Sequence, residues 1–260
     1  MDVAPVVLTI AGSDPSGGAG LQADLKTFAT LGAYGAAVVA ALTAQNTRGV
    51  QGIEPVAPAF VVRQLDSVLA DLDVRAIKTG MLGRADVVEA LGERLAGVPM
   101  PIVVDPVLVA TAGQPLTEAA ALDPIRRRLL PCAALVTPNL AEAAALTGRA
   151  VSSVAEMRAA AQALVDLGAR AALVKGGHLE DVALDVLHDG TTMHELAARR
   201  VPGVFHGTGC TLSAAIAVGL ARGATLHAAV SEAKRYVTRA IEDSPARGGG
   251  ARPLDNRARG

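Results

Sequence analysis

Six short runs of apolar, often β-branched residues recur along the chain, at Val6 to Ala11, Ala37 to Leu42, Val74 to Ile77, Ile102 to Val107, Ala134 to Thr137 and Ala171 to Val174. Each is apolar at odd and even positions alike, so both faces of the extended segment must be covered. That is the pattern of central strands in a parallel sheet, whereas a sheet with one wet face alternates. Between the runs lie longer stretches with helical apolar spacing, which predict helices over 19–31, 58–70, 85–95, 118–130, 140–147, 154–167, 211–222 and 226–242. Strand alternating with helix predicts the α/β class, a three-layer αβα architecture around a mostly parallel central sheet. Residues 183–200 are more strand-like and predict an antiparallel edge or hairpin. No repeat or linker divides the chain, so 1–243 is read as a single domain. From Ser244 the sequence turns rich in Gly, Arg and Pro, and 244–260 is expected to be a solvated, flexible tail.

Composition narrows the partners. Hydrophobic residues make up 51% of the 260 positions but aromatics only 2%, with no Trp, so the core must be built from Ala, Val, Leu and Ile. A formal charge of −1 offers no basic footprint for nucleic acid or an anionic membrane, which points to small-molecule partners. Two cysteines support no disulfide framework, and the N-terminal apolar run lacks a basic region and is too short for a signal peptide or a spanning helix. A cytoplasmic protein is expected.

Ligands of open parallel sheets bind at the carboxyl ends of the strands, so the residues just after each run carry the candidate chemistry. The first run leads into Gly12-Ser13-Asp14-Pro15-Ser16-Gly17-Gly18-Ala19-Gly20, with Asp24 one turn into the next helix. This fits neither the dinucleotide fingerprint nor the Walker loop: no glycine follows Gly18-Ala19-Gly20 at the right distance, and no Lys-Ser follows Gly17. It is a close-approach loop able to surround a small ligand. Asp24 either faces that ligand or is a solvated helix-face carboxylate. Gln45, after the second run, has a primary amide that can pair with a heterocycle showing a ring nitrogen beside an amino group. Lys78-Thr79-Gly80-Met81 follows the third run, and Asp105-Pro106 closes the fourth, where Asp105 either holds a metal or caps a loop. Asn139 and Glu142 are either the two halves of a near-capping-box or organisers of Mg²⁺ and its waters. Lys175, next to two glycines, suits a phosphate contact.

The run His206-Gly207-Thr208-Gly209-Cys210-Thr211-Leu212-Ser213 opens a helical pattern. Glycines around a threonine let successive N–H groups converge at a helix N-terminus, which makes an anion-binding corner. In that potential Cys210 is expected to favour the thiolate, with a pKa below the free value of roughly 8.5. The plainer alternative is a Gly-rich helix cap with a small buried Cys behind it. His188, His194 and His227 show no metal-ligand spacing and neither cysteine has paired ligands, so no zinc site is expected.

Taken in order, the segments 11–20, 22–28, 41–47, 77–82, 104–107, 137–142, 175–178 and 206–211 resemble the hydroxymethylpyrimidine/phosphomethylpyrimidine kinases of thiamine biosynthesis, members of the ribokinase-like superfamily. The resemblance implies a ribokinase-like fold, usually a homodimer. It also implies phosphorylation by MgATP of the alcohol 4-amino-5-hydroxymethyl-2-methylpyrimidine, and then of its monophosphate. In that family the positions matching Gly12, Asp24, Gln45, Met81 and Val107 hold the pyrimidine, and those matching Lys175, Asn139 and Thr208 serve ATP. Asp105 and Glu142 match the Mg²⁺ positions, partly through water, while Gly207, Thr208, Gly209 and Cys210 match the anion hole, with Cys210 as base. Two departures stand out: Thr111-Ala112 replaces a common Lys-Ser, so that loop is assigned no ligand contact, and the family's Gly-, Pro- and His-containing ending is missing. The rival readings are a pyridoxal or pyridoxine kinase of vitamin B6 salvage, a cysteine hydrolase pairing Cys210 with His178 or His206, and a ligand sensor without turnover. The hydrolase reading lacks a nucleophile-elbow motif.

Overall fold

The apolar runs do become the centre of one sheet. A computed structural model describes residues 3–177 and 183–257 of the chain; His178 lies outside the described residues. In chain order the strands are β1 (Val6–Gly12), β2 (Tyr34–Asn46), β3 (Gly49–Pro55), β4 (Val74–Thr79), β5 (Ile102–Val104), β6 (Leu135–Val136), β7 (Ala172–Gly176), β8 (Ala183–His188) and β9 (Met193–Ala198). They form a sheet of order β3-β2-β1-β4-β5-β6-β7-β8-β9. β2, β1, β4, β5, β6 and β7 run parallel, while β3, β8 and β9 pair antiparallel at the two edges. The order reverses around β1, which has β2 on one side and β4 on the other, so the crevice that such sheets offer to ligands opens at the carboxyl ends of β1 and β4.

Helices cover both faces. α2 (Pro58–Leu69), α3 (Ala85–Leu95), α5 (Leu140–Thr147) and α6 (Val154–Asp166) pack on one side through Leu65, Leu91, Leu146 and Leu164, against Leu8, Ile10 and Val104 of the strands. α1 (Gly20–Thr30), α7 (Thr208–Ala221) and α8 (Leu226–Glu242) pack on the other through Phe28, Ile216 and Val230, against Val7, Val103 and Leu135. Adjacent strand residues serve opposite cores, which is why the runs carry no polar alternation. This is the expected three-layer αβα arrangement, hairpin at 183–198 included.

Three expectations are corrected. The helix predicted over 118–130 is a mixed run: a 3₁₀ turn, α4 (Leu122–Pro124), a π turn over Ile125–Leu129 and a second 3₁₀ turn ending at Cys132. Pro124 and Pro131 supply no N–H, so a regular ladder cannot pass through them. α7 begins at Thr208, three residues earlier than predicted, which moves Gly209 and Cys210 into its first turn.

The tail from Ser244 is also not loose as far as it is described. Arg252–Pro253 (β11) pairs with Phe205–His206 (β10), Leu254 is buried, and the Asn256 side-chain amide donates to Thr27 Oγ1 and Thr211 Oγ1, each at 3.2 Å. Tyr236 donates to the Asn256 carbonyl at 2.7 Å. A few apolar and amide groups dock this segment where composition alone predicted too little to pack.

Among the described residues, no helix is long and apolar enough to cross a membrane.

Candidate active site

The reversal around β1 sets the site's floor. Thr9 of β1 and Lys78 of β4 are register partners, and both side chains converge on Asp24 of α1. Thr9 Oγ1 donates to Asp24 Oδ2 at 2.6 Å, and Lys78 Nζ lies 2.8 Å from the same oxygen. All three are fully buried, so Asp24 is not a solvated helix-face carboxylate. Its second oxygen, Oδ1, is buried without a partner, as is Thr79 Oγ1. Burial works against the Lys78 charge, but Asp24, and after it Cys210 and Asp105, outweigh that and raise its pKa. Above this floor Gly12 N–H donates to the Met81 carbonyl at 2.9 Å and the Met81 thioether lies across Gly12, where any Cβ would meet its methyl group.

Gly207 turns the chain into α7. It has φ +82° and lies so close to Gly18 that a Cβ would collide with the Gly18 carbonyl oxygen, so only glycine fits. No side chain caps the helix, and the first-turn N–H groups of Thr208, Gly209 and Cys210 have no acceptor within it. Lys175 of β7 reaches this turn: its Nζ is 3.0 Å from where a Gly209 Cβ would stand, and 2.9 Å from Asp105 Oδ1. Thr137 donates to Asp105 Oδ1 at 3.2 Å, while the Ser213 hydroxyl, 3.3 Å from Oδ2, is closer to the Gly209 carbonyl that takes its proton, so Oδ1 is engaged and Oδ2 is the freer oxygen.

The capping-box reading of Asn139 and Glu142 holds in full. Asn139 Oδ1 accepts from the Glu142 N–H at 2.9 Å, and Glu142 Oε2 accepts from the Asn139 N–H at 2.8 Å. Glu142 is nevertheless buried beside charge. Burial raises its pKa, Lys175 opposes that, and Asp105 reinforces it. The expectation of a favoured Cys210 thiolate is corrected: burial pushes the thiol up to about 11. Lys78 pulls down, Asp24 and Asp105 push further up, and the Gly20 N–H bond to the sulfur is too small to reverse the sum.

Gln45 lines a cavity of about 280 Å³ together with His206, Arg48 and Val204. Two of its walls were missed from sequence. One is the loop Ala110-Thr111-Ala112, set aside for lacking Lys-Ser; the other is the tail segment Gly249 to Ala251, which was read as solvated. The tail is held there by Ala251 N–H donating to the Thr47 carbonyl at 2.9 Å. Asp24, Met81, Val107 and Cys210 do not line this cavity. Val107 lines a smaller depression with Thr79 and Asp105. The two groups meet through His206, whose ring lies in the cavity wall and whose neighbour Gly207 begins the α7 turn.

The phosphomethylpyrimidine kinase family model matches residues 14–255. A hydroxymethylpyrimidine/phosphomethylpyrimidine kinase of Streptomyces coelicolor is 50% identical over 253 residues, spanning 97% of this chain and 94% of its own. Among solved structures, pyridoxal kinase from Staphylococcus aureus in complex with AMP-PCP and pyridoxal superposes with a TM-score of 0.90 at 35% identity, over 98% of this chain and 94% of that one. Phosphomethylpyrimidine kinase from Clostridium difficile does so at 0.81 and 38% identity, over 91% of this chain and 99% of that one. The ribokinase-like fold is shared with these kinases, and the chain belongs to the phosphomethylpyrimidine kinase family.

Proposed function

We propose that this chain transfers the γ-phosphoryl group of ATP to the hydroxymethyl group of 4-amino-5-hydroxymethyl-2-methylpyrimidine, and then a second one to the monophosphate, in thiamine biosynthesis. The observation that carries the reading is the closeness of two half-sites. A cavity with the Gln45 amide and the His206 ring in its wall stands beside the uncapped first turn of α7, which Gly207, next in the chain to His206, begins, and against which Lys175 and Asp105 are packed.

The N–H groups of Thr208, Gly209 and Cys210 offer donors to charge growing on the phosphoryl oxygens, and Lys175 adds a fixed positive charge. Asn139, at the end of β6 beside Lys175, serves the nucleotide. Asp24, Gln45, Met81, Val107 and the Gly12 backbone hold the pyrimidine. Cys210 accepts the hydroxyl proton in the first transfer, and it must lose its own proton first. The second nucleophile is a phosphate monoester with a second pKa near roughly 6, already ionised, so that step needs little base. Removing the sulfur with Cys210→Ala is expected to slow the first transfer by about 10²-fold and the second far less.

The residues fit Mg²⁺. Asp105 and Glu142 are buried, all-oxygen donors with Thr137 and Ser213 hydroxyls beside them, the donor type hard cations take. Because Lys175 and Thr137 engage Asp105 Oδ1 and the capping box engages Glu142 Oε2, the two carboxylates would hold the ion partly through its waters. When bound, it would neutralise triphosphate charge. A homodimer and a cytoplasmic location go with the family and belong to the proposal; sedimentation equilibrium tests the first.

The second reading, a pyridoxal kinase, is favoured by the likeness to the Staphylococcus aureus enzyme. Turnover of both alcohols with MgATP, following mono- and diphosphate products by mass, decides between them. A clear preference for pyridoxal, or no pyrimidine phosphate at all, would sink the proposal.

A further inference from the structure

One chain of polar contacts runs along the cavity wall and fixes which way an amide faces. Thr43 Oγ1 lies 2.8 Å from the Ser13 carbonyl oxygen and 3.2 Å from the amide atom of Gln45 placed as Oε1. The atom placed as Nε2 is 3.2 Å from His206 Nε2, which is itself 2.8 Å from Asp14 Oδ2, and the proton count along this chain calls for the opposite orientation. A hydroxyl has one proton, and a backbone carbonyl can only accept, so the Thr43 proton goes to Ser13 and Thr43 turns lone pairs toward Gln45. Asp14 already accepts N–H bonds from Ser16, Gly18 and Ala19. Burial pushes its carboxyl up, but the His206 ring and Ser16 outweigh that and hold it at about 2, so it is ionised and can only accept. His206 Nε2 must therefore carry its proton, aimed at Asp14.

Those two ends leave a single satisfied arrangement for the amide between them. A half-turn of its terminal torsion exchanges oxygen and nitrogen at nearly fixed positions. Only with NH₂ toward Thr43 and oxygen toward His206 does the amide meet a lone pair at one end and an N–H at the other, the single Nε2 proton then being shared between Asp14 Oδ2 at 2.8 Å and the amide oxygen at 3.2 Å. We infer that His206 is a positioning residue that sets the polarity of the Gln45 amide, and so the order in which a donor and an acceptor face a heterocycle in the cavity. The inference deepens the pyrimidine reading and rests on it for the ligand. After its two wall contacts the amide keeps one N–H on the Thr43 side and one oxygen lone pair on the His206 side. A ring nitrogen next to an exocyclic amino group matches both; a pyridine with a methyl beside its ring nitrogen matches one.

The test has a ligand-free arm and a kinetic arm. In the isotope-labelled full chain, the Gln45 side-chain NH₂ protons are expected to show nuclear Overhauser contacts to the Thr43 methyl group and none to the His206 ring protons. Contacts to the ring instead overturn the inference, whether or not any pyrimidine is turned over. In the kinetic arm, His206→Phe is expected to raise KM for the aminopyrimidine alcohol about 10-fold with kcat changed less than about threefold, the scale of one misdirected hydrogen bond. KM for pyridoxal stays within the same factor. In a Gln45→Ala background His206→Phe adds nothing further to KM. An equal rise in both backgrounds means His206 does not act through Gln45 and overturns the inference; absence of pyrimidine turnover in the unaltered chain would fault the functional reading alone.

Discussion

Lys78 and Asp24, 54 positions apart in sequence, meet at 2.8 Å with both side chains wholly out of solvent. Breaking such a pair from one side strands a buried charge. Lys78→Met is therefore expected to destabilise the fold by about 3–5 kcal/mol in urea unfolding, and adding Asp24→Asn to recover much of that loss. If the double substitution is no more stable than the single one, the pair is not what the cost reflects.

Cys210 is partly buried and feels the same two charges. With its thiol pushed up to about 11, iodoacetamide should alkylate it near neutral pH about 10²-fold more slowly than a free cysteine, with the rate climbing as pH rises. Cys132 is best replaced by Ser so that one thiol is counted. If Cys210 is the base, the first phosphoryl transfer climbs with pH over the same range, and the slope vanishes in Cys210→Ala. A flat profile across neutral pH would remove the sulfur from that role.

Asp14 makes a stability prediction with a definite sign. Its folded pKa of about 2 lies below the ordinary carboxylate value, so the unfolded chain binds the proton more readily. The stabilisation is complete above the ordinary value and is lost as pH falls toward the folded one. The stability gap between the unaltered chain and Asp14→Asn should narrow by roughly 1 kcal/mol between about pH 6 and about pH 3. A gap that widens on acidification would contradict the His206 and Ser16 contacts.

Gly207→Ala tests the α7 turn. A left-handed alanine costs about 1–2 kcal/mol before its collision with the Gly18 carbonyl is relieved. Moving the turn displaces three N–H donors at once, so kcat is expected to fall by about 10²-fold or more. A variant with normal kcat would show that these amides do not face the reacting phosphoryl group.

Truncation after Arg247 removes Leu254, Asn256 and the Gly249 to Ala251 wall of the cavity. Both Tm and affinity for the pyrimidine alcohol should fall, by calorimetry and by KM; unchanged affinity would detach the tail from substrate binding.

The sequence made the sheet and most helices legible because every central strand is apolar on both faces and each helix keeps one apolar stripe. β3 escaped notice since Gly49–Pro55 is largely exposed and offers no pattern to read. Lys78 and Asp105 stand at or just beyond their strand ends, and the Asn139–Glu142 capping box was readable from spacing alone. The electrostatics were not. Cys210 was read from its helix N-terminus, whereas burial next to Asp24 and Asp105 decides its proton, and both come from other strands and helices. Lys78 as partner of Asp24 and His206 as partner of Gln45 depend on tertiary register that no local window contains.

The bond from Asn256 to Thr27 and Thr211 also has a temporal side. On the ribosome the parallel strands are complete by about residue 176, yet the clasp joining α1 to α7 waits for some 80 further residues to emerge, domains generally folding as units during synthesis. A translation product that stalls before that asparagine would carry a finished sheet and an unfastened α7.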